Sequence, residues 1–306
     1  MDRVYRNFYR NCYLRTGGFI PTEPLNTAFY PGDFFQIVNG QMVMLGNIFR
    51  NGIVEAVETS FGRQIRHNPS SWVFSDGLSK PYSGRGTGHG PIVGEFEFSK
   101  QLLAFEARGS FLFKGNDPQS VKIQNWAELQ QQLIIKMTQT IYSFRELYVV
   151  TESVTLSDWT LAVAGAPKAD LEIATDTENF GLVDIFGHHS AKTIQSKDIE
   201  YHHRETGGRP CFFRAKKLVL QDEKLDVFIS ELIDRRESHH EWAGSFFRYD
   251  LPPEPGYLVR DTVTAKASVL DMMQSNQLNP NTALLYFRWS DVSLDDVEKF
   301  FQTYGY

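Results

Sequence analysis

Cysteine is scarce in this chain of 306 residues: Cys12 and Cys211 are its two thiols. That is too few for a secreted disulfide scaffold, so a reducing compartment is the expectation. No CxxC occurs, which removes the usual ligand pairs of a structural zinc site. Long hydrophobic runs are also missing. Nowhere do about 18 uncharged apolar residues follow one another, so no transmembrane helix is expected. The N-terminal stretch is interrupted by charge and holds no apolar signal core. An excess of positive charge is lacking too. The balance of 31 Lys and Arg against 37 Asp and Glu gives -6, which argues against nucleic acid as a partner. The expected setting is the cytoplasm.

Aromatic residues are what the chain has in quantity. It carries 24 Phe, 13 Tyr and 5 Trp, and Phe alone outnumbers the 23 Gly. So many rings need a core, an interface or a membrane to cover them. The 42% hydrophobic and 22% charged content is that of a globular protein and excludes wholesale disorder. Charge is unevenly spread. Residues 222–306 hold 15 acidic against 8 basic side chains, a balance of -7, which leaves +1 for the remainder of the -6 total. At the other end, Arg3, Arg6, Arg10 and Arg15 stand against Asp2 alone. Random surface variation is one reading. The other is that a basic end meets an anionic surface and an acidic end masks it.

Residues 2–14 read as a short helix: Val4, Phe8 and Cys12 recur on one face and Arg3, Arg6 and Arg10 on another. Gly17-Gly18 ends it. Such a helix either docks by its apolar face or lies on anionic lipid. Asp33–Val38 and Met42–Leu45 flank Asn39-Gly40, a hairpin signature. Ile53 to Val57 reads as a short strand. Residues 62–91, rich in Gly, Ser and Pro, read as a long loop. Over 92–115, Phe96, Phe98, Phe105, Phe111 and Phe113 alternate with polar residues, as in strands. Asn125 and Glu128 open a helix with the stripe Leu129, Leu133, Ile134, Met137 and Ile141. Leu147–Thr155 and Trp159–Ala164 read as a hairpin turning at Ser157-Asp158. Short strands follow at 169–174, 181–187, 198–203 and 211–220. Helices are expected at 225–233 and 263–273, a strand at Thr282–Trp289, and a final helix capped by Ser293 and Asp296 with Val297, Phe300 and Phe301. The order is not a regular βαβ alternation. The expected class is therefore α+β, a twisted, mainly antiparallel sheet with flanking helices and a smaller C-terminal segment.

Catalytic signatures are weak. Gly84–Gly90 does not fit GxGxxG, and no strand–loop–helix context surrounds it. His188-His189, His202-His203 and His239-His240 are adjacent pairs that on a strand point to opposite faces, so metal convergence is disfavoured. No GxSxG occurs, and neither cysteine has a nucleophile's context. Glu95 and Glu97 share a strand face without further support for carboxylate catalysis. The default reading is a non-enzyme without a metal or cofactor.

Several pieces then line up. The basic amphipathic helix leads into Gly18-Phe19-Ile20-Pro21, Leu25, Phe29-Tyr30-Pro31 and a hairpin. After it come an aromatic-alternating hairpin at 92–113, a helix, Leu147–Glu152 opening a second hairpin over 147–187, and a closing strand Cys211–Val219. This order resembles the pore-forming domain of the gasdermin family, including its bacterial members, over about residues 1–220. The resemblance implies a domain at 1–221; the acidic segment at 222–306 departs from the family, and its charge and final helix would suit an inhibitory role. The resemblance also implies membrane permeabilisation, in cell death or antiphage-type defence, after a protease releases the C-terminal segment. The active state it implies is a homo-oligomeric β-barrel at the inner or cell membrane. Arg3, Arg6, Arg10 and Arg15 would meet anionic lipid, and Phe96, Phe98, Phe105, Phe111 and Phe113 would face the membrane. Val297, Phe300 and Phe301 would form the inhibitory helix. Bacterial members are lipidated near the N-terminus, and Cys12 is the matching thiol, deeper in the chain than that pattern prefers. The alternatives are a soluble α+β binding or defence-associated protein with no membrane activity, and a hydrolase whose site is assembled from separated residues.

Overall fold

The computed structural model describes residues 2–79, 82–90, 94–137, 147–176, 192–221 and 280–301. Expectations for 138–146, 177–191 and 222–279, including Ile141, the strand at 181–187 and the helices at 225–233 and 263–273, lie outside them.

The architecture is α+β, with antiparallel sheets and a few helices. A 3-10 turn (Arg3–Tyr5) runs into α1 (Arg6–Thr16). The strands follow as β1 (Ile20–Pro21), β2 (Asp33–Val38), β3 (Gln41–Asn47), β4 (Phe61–Arg66), β5 (Ser71–Asp76), β6 (Tyr82–Gly90), β7 (Gly94–Ala104), β8 (Phe111–Asn116) and β9 (Gln119–Ile123). Next come α2 (Trp126–Met137), β10 (Leu147–Thr155), β11 (Asp158–Ala164), β12 (Asp170–Asp176), β13 (Lys192–Lys197), β14 (Ile199–Glu205) and β15 (Phe212–Leu220). The described residues close with α3 (Pro280–Tyr286), β16 (Phe287–Asp291) and α4 (Leu294–Glu298).

Twelve of these strands form four long ribbons: β4-β5-β6, β7-β8-β9, β10-β11-β12 and β13-β14-β15. Each ribbon pairs antiparallel with the next at three levels. One end is an eight-stranded sheet in which β4, β9, β10 and β15 adjoin β2, β3, β1 and β16. The middle is β14-β11-β8-β5 and the far end β13-β12-β7-β6. Along this ladder β9 pairs with β4 and β10, β8 with β5 and β11, and β7 with β6 and β12. The fourth ribbon completes each level on the third.

Five expectations are corrected by the structure. Residues 62–91 contain β4, β5 and β6 rather than a loop. Backbone ladders need no side-chain pattern, so the Gly-rich run Tyr82–Gly90 can pair along its whole length with β7 while showing no hydrophobic period. The stretch 92–113 is not a hairpin, because β7 and β8 are successive parts of one ribbon. Ser157-Asp158 likewise bends β10 into β11 rather than folding one back on the other. Ile53 and Val54 are buried in a turn before a 3-10 segment (Ala56–Glu58), not in a strand. Thr282–Trp289 divides into the end of α3 and the start of β16.

Other local readings hold. Asn39 and Gly40 both adopt positive φ, 51° and 75°, as a two-residue hairpin requires. Gly17 ends α1 at φ 74°, and its amide donates to the Tyr13 carbonyl. Asn125 does open α2, its carbonyl accepting from the Glu128 and Leu129 amides, but its side-chain oxygen accepts from the Ser60 amide instead of forming the expected capping box with Glu128. Leu129, Leu133, Ile134 and Met137 are the buried stripe of α2.

Two main cores result. One joins α1 and the chain's end to the aromatic face of the ribbons, with Phe8, Tyr9, Phe74, Phe111, Phe113, Trp159, Phe212, Phe300 and Phe301. The other sits between the eight-stranded sheet and the helices α2 and α3. A small cluster around Leu103, Phe105 and Leu171 fills the joint toward the far sheet.

Candidate functional site

The described end of the chain lies against its beginning. β16 adds to the edge of β15 with Leu220 opposite Phe287 and Lys216 opposite Asp291. Ser293 then caps α4: its hydroxyl accepts from the Asp296 amide and the Asp296 carboxylate accepts from the Ser293 amide. This reciprocal cap aims α4 across α1. Val297, Phe300 and Phe301 are buried there, with Tyr9 meeting Phe301 at 5.5 Å and Phe300 at 6.2 Å between ring centroids. Tyr13 donates through its hydroxyl to the Val292 carbonyl at 2.9 Å.

Charge follows the same contact. Glu298 takes Arg6 Nε at 2.6 Å and Arg10 Nη1 at 3.2 Å. Both arginines are about half exposed (54% and 49%), so these pairs add specificity more than stability. Deeper in, Asp296 accepts from Lys217 Nζ at 2.7 Å and Tyr148 Oη at 3.0 Å, and Lys299 Nζ is an ion-pair partner at 3.2 Å. Burial opposes the Asp296 charge, but Lys217, the Ser293 amide and Lys299 outweigh it and hold the carboxyl well below the usual carboxylate range. Burial also pulls Lys217 downward, against the raising effect of Asp296. The close donors on Asp296 keep the pair ionised. Asp291 meets Lys216 at 2.6 Å. Thus Asp291, Asp296 and Glu298 each cover a base contributed by α1 or β15.

The other singled-out residues fall in different places. Arg3 and Arg15 are exposed on the N-terminal helix, with Arg15 Nε donating to Asn11 Oδ1. Cys12 is fully buried on the core-facing side of α1, and burial raises its thiol pKa far above the ordinary value. Attaching a lipid there would require α1 to leave the core. Phe111 and Phe113 are core residues under Phe8, and Phe105 is buried in the small joint cluster. In this structure these three rings face protein, so the membrane-facing expectation for them does not describe the folded state. The alternation of Phe111 and Phe113 matches a ribbon face covered by α1.

Phe96 and Phe98 lie on β7 in the far sheet, opposite Gly88 and Gly86 of β6. The other face of the same two strands carries positions 83, 85, 87, 89, 95 and 97, occupied by Ser, Arg, Thr, His, Glu and Glu. β12 mixes this pattern, since Asp176 is opposite Phe98 and Glu172 opposite Leu102.

The cysteine and histidine candidates remain without catalytic geometry among the described residues. Burial lifts the Cys211 thiol to about 11. His202 is lowered by burial, and His203 packs on Trp159 at 5.1 Å. No group of three metal-ligating side chains occurs among the described residues. His188-His189 and His239-His240 lie outside them. No described helix is long and apolar enough to cross a membrane.

No family model and no curated protein matches the chain. A solved structure that it resembles is the gasdermin A3 membrane pore, at 12% identity and a TM-score of 0.31, over 71% of this chain and 90% of that one. A score that low establishes neither membership nor function.

Glu298 was legible in the sequence only as part of an acidic last third, and Asp296 only as a helix cap with Ser293. The partner bases Lys216 and Lys217, and a cluster of His67, Glu152 and Arg214 beneath the end of α1, carried no sequence signal.

Proposed function

We propose that this chain is a latent membrane-permeabilising protein. In this reading β6–β7 and β12–β13 are the inserting hairpins, and the β16–α4 end restrains the basic helix α1 until it is released. The observation that carries the reading is the four-ribbon antiparallel ladder ending in two hairpins side by side. Four ribbons alternate in direction. The first ribbon of one copy can therefore meet the fourth ribbon of another in the same antiparallel sense. A bilayer demands such closure, because an open sheet edge in hydrocarbon leaves backbone groups unsatisfied. β6 and β7, at 9 and 11 residues, have the length of spanning strands, about 9–11 residues.

Release of α4 would free Arg6 and Arg10 for anionic headgroups, beside Arg3 and Arg15. A protease acting within 222–279 is the proposed trigger. The inactive form would be cytoplasmic, and the active homo-oligomer would sit at the inner or cell membrane, in cell death or antiphage-type defence.

The second reading, a soluble α+β binding or defence-associated protein, is favoured by one specific observation. Asp176 stands opposite Phe98 and Glu172 opposite Leu102 in the β12–β7 register, and strands that line a lipid surface would exclude acids at such positions. Dye release from vesicles separates the two. Glu298→Arg in the full chain is expected to release dye from vesicles of phosphatidylcholine with phosphatidylserine, and not from phosphatidylcholine alone. Adding Phe98→Asp is expected to abolish release while vesicle binding persists. A folded Glu298→Arg protein that neither binds nor permeabilises anionic vesicles would overturn the pore reading in favour of the soluble one.

A further inference from the structure

His67, Glu152 and Arg214 come from three different ribbons and meet beneath the end of α1. Arg214 is held three ways. Its Nη1 donates to Glu152 Oε2 at 3.1 Å, its Nη2 donates to the Gly17 carbonyl at 2.7 Å, and its guanidinium lies 4.1 Å from the centre of the Phe19 ring. Gly17 is the residue that ends α1, so this arginine ties the helix terminus to the sheet.

Glu152 sits at the branch point of β10. Residues 147–149 of that strand pair with β2 and residues 152–155 with β9, and the β10–β15 register shifts between Val150 and Glu152. Its second oxygen, Oε1, is 3.9 Å from His67 Nε2, too far for a hydrogen bond. The His67 ring packs edge-on to Phe19 at 5.4 Å and against Trp72 at 6.2 Å, and its buried Nε2 has no hydrogen-bond partner among the described residues. The charged groups facing it are Glu152 from β10 and Arg214 from β15. Lys122 of β9 stands opposite Glu152 in register and is exposed.

We propose that His67 is a proton-sensitive tie: neutral, it wedges Phe19 and Trp72 together and leaves Glu152 to Arg214, and protonated, it loosens the attachment of the α1 terminus. A proton on the ring places a second cation beside Arg214 among aromatic neighbours. It also sets His67 competing with Arg214 for one carboxylate. Burial lowers the His67 pKa, Glu152 raises it, Arg214 lowers it, and the net direction is down. The folded protein therefore binds fewer protons here than the unfolded chain, whose His titrates near about 6.5. Stability contributed by the neutral ring is complete above that value and declines as pH falls from it toward the folded value. The effect appears first at Gly17 and Phe19, the groups that Arg214 holds.

This inference does not rest on the membrane reading, and its test uses no lipid. Hydrogen exchange of the full chain, corrected for the intrinsic pH dependence of exchange, is compared at pH about 7.5 and about 5.5 for amides 13–19. The wild type is expected to lose protection several-fold at the lower pH, and His67→Gln to show no such loss. Equal protection at both pH values in the wild type, or an equal loss in His67→Gln, overturns the proposal. Should that variant fail to fold, an NMR titration of the His67 ring in the wild type decides. A midpoint below the ordinary histidine value, with Phe19 and Trp72 resonances moving in step, supports the tie, and a midpoint at or above it refutes it.

Discussion

Arg6 and Glu298, 292 residues apart in sequence, meet at 2.6 Å between Nε and Oε2. The first helix and the described end of the chain are thereby one packed unit. Glu298 also takes Arg10, so a single carboxylate serves two of the four arginines of the basic terminus.

Removing that carboxylate should therefore matter more for binding than for folding. Glu298→Gln is expected to change stability by no more than about 1 kcal/mol, because both arginines are half exposed. The same change is expected to raise co-sedimentation with phosphatidylserine vesicles, and added salt should reverse the gain. Thermal melts alongside vesicle sedimentation check both parts. A large fall in melting temperature with no gain in binding contradicts the masking role.

Asp296→Asn should behave in the opposite manner. It strips the anionic partner from Lys217, whose ammonium is largely buried, and places an amide group where a carboxylate oxygen accepts from the Ser293 amide. Leaving a buried charge unpaired costs about 3–5 kcal/mol, readable by urea denaturation at neutral pH.

The pH dependence of that carboxyl has a definite sign. Its folded pKa is depressed, because Lys217, the Ser293 amide and Lys299 outweigh burial. The stabilisation is present above the unfolded carboxylate value of about 3.9 and fades as pH falls below it. Denaturant midpoints of the wild type are expected to drop below that pH, and the drop should be smaller in Asp296→Asn. Parallel curves for the two proteins would show that other acids govern acid unfolding.

Cys12 supplies a probe of the helix itself. It is fully buried and its thiol is shifted upward by burial, so a Cys211→Ser chain should react with a thiol reagent at neutral pH only on unfolding. Faster labelling on anionic vesicles, with the rest of the chain folded, would report α1 leaving the core. Immediate labelling in buffer would contradict the buried position.

Phe8→Ala tests the larger core. Phe8 packs on Tyr9, Phe74, Phe111 and Phe113, and removing a ring so enclosed costs about 3–5 kcal/mol. Calorimetry is the measurement, and a loss under about 1 kcal/mol would mean that α1 is only loosely docked.

Elements whose cause is local were legible in the sequence. Alternate apolar positions, glycine at the end of α1, Asn39-Gly40 and the Ser293–Asp296 cap each act within a few residues, so they determine their own structure. The -7 balance of residues 222–306 likewise pointed to an acidic partner for the N-terminal arginines. The tertiary structure decided everything that depends on pairing across distance. The run Tyr82–Gly90 offers little but backbone to a neighbour, and becomes a strand only because β7 lies beside it. β7 and β8 have the alternation of a hairpin, yet each finds its partners in other ribbons. The same lack of a local signal hid His67, Glu152 and Arg214, since nothing in the β4–β5 link or in β10 and β15 announces that their side chains will meet under Gly17. Periodicity tells a strand which face to bury, while its neighbours are chosen by the free energy of the whole sheet.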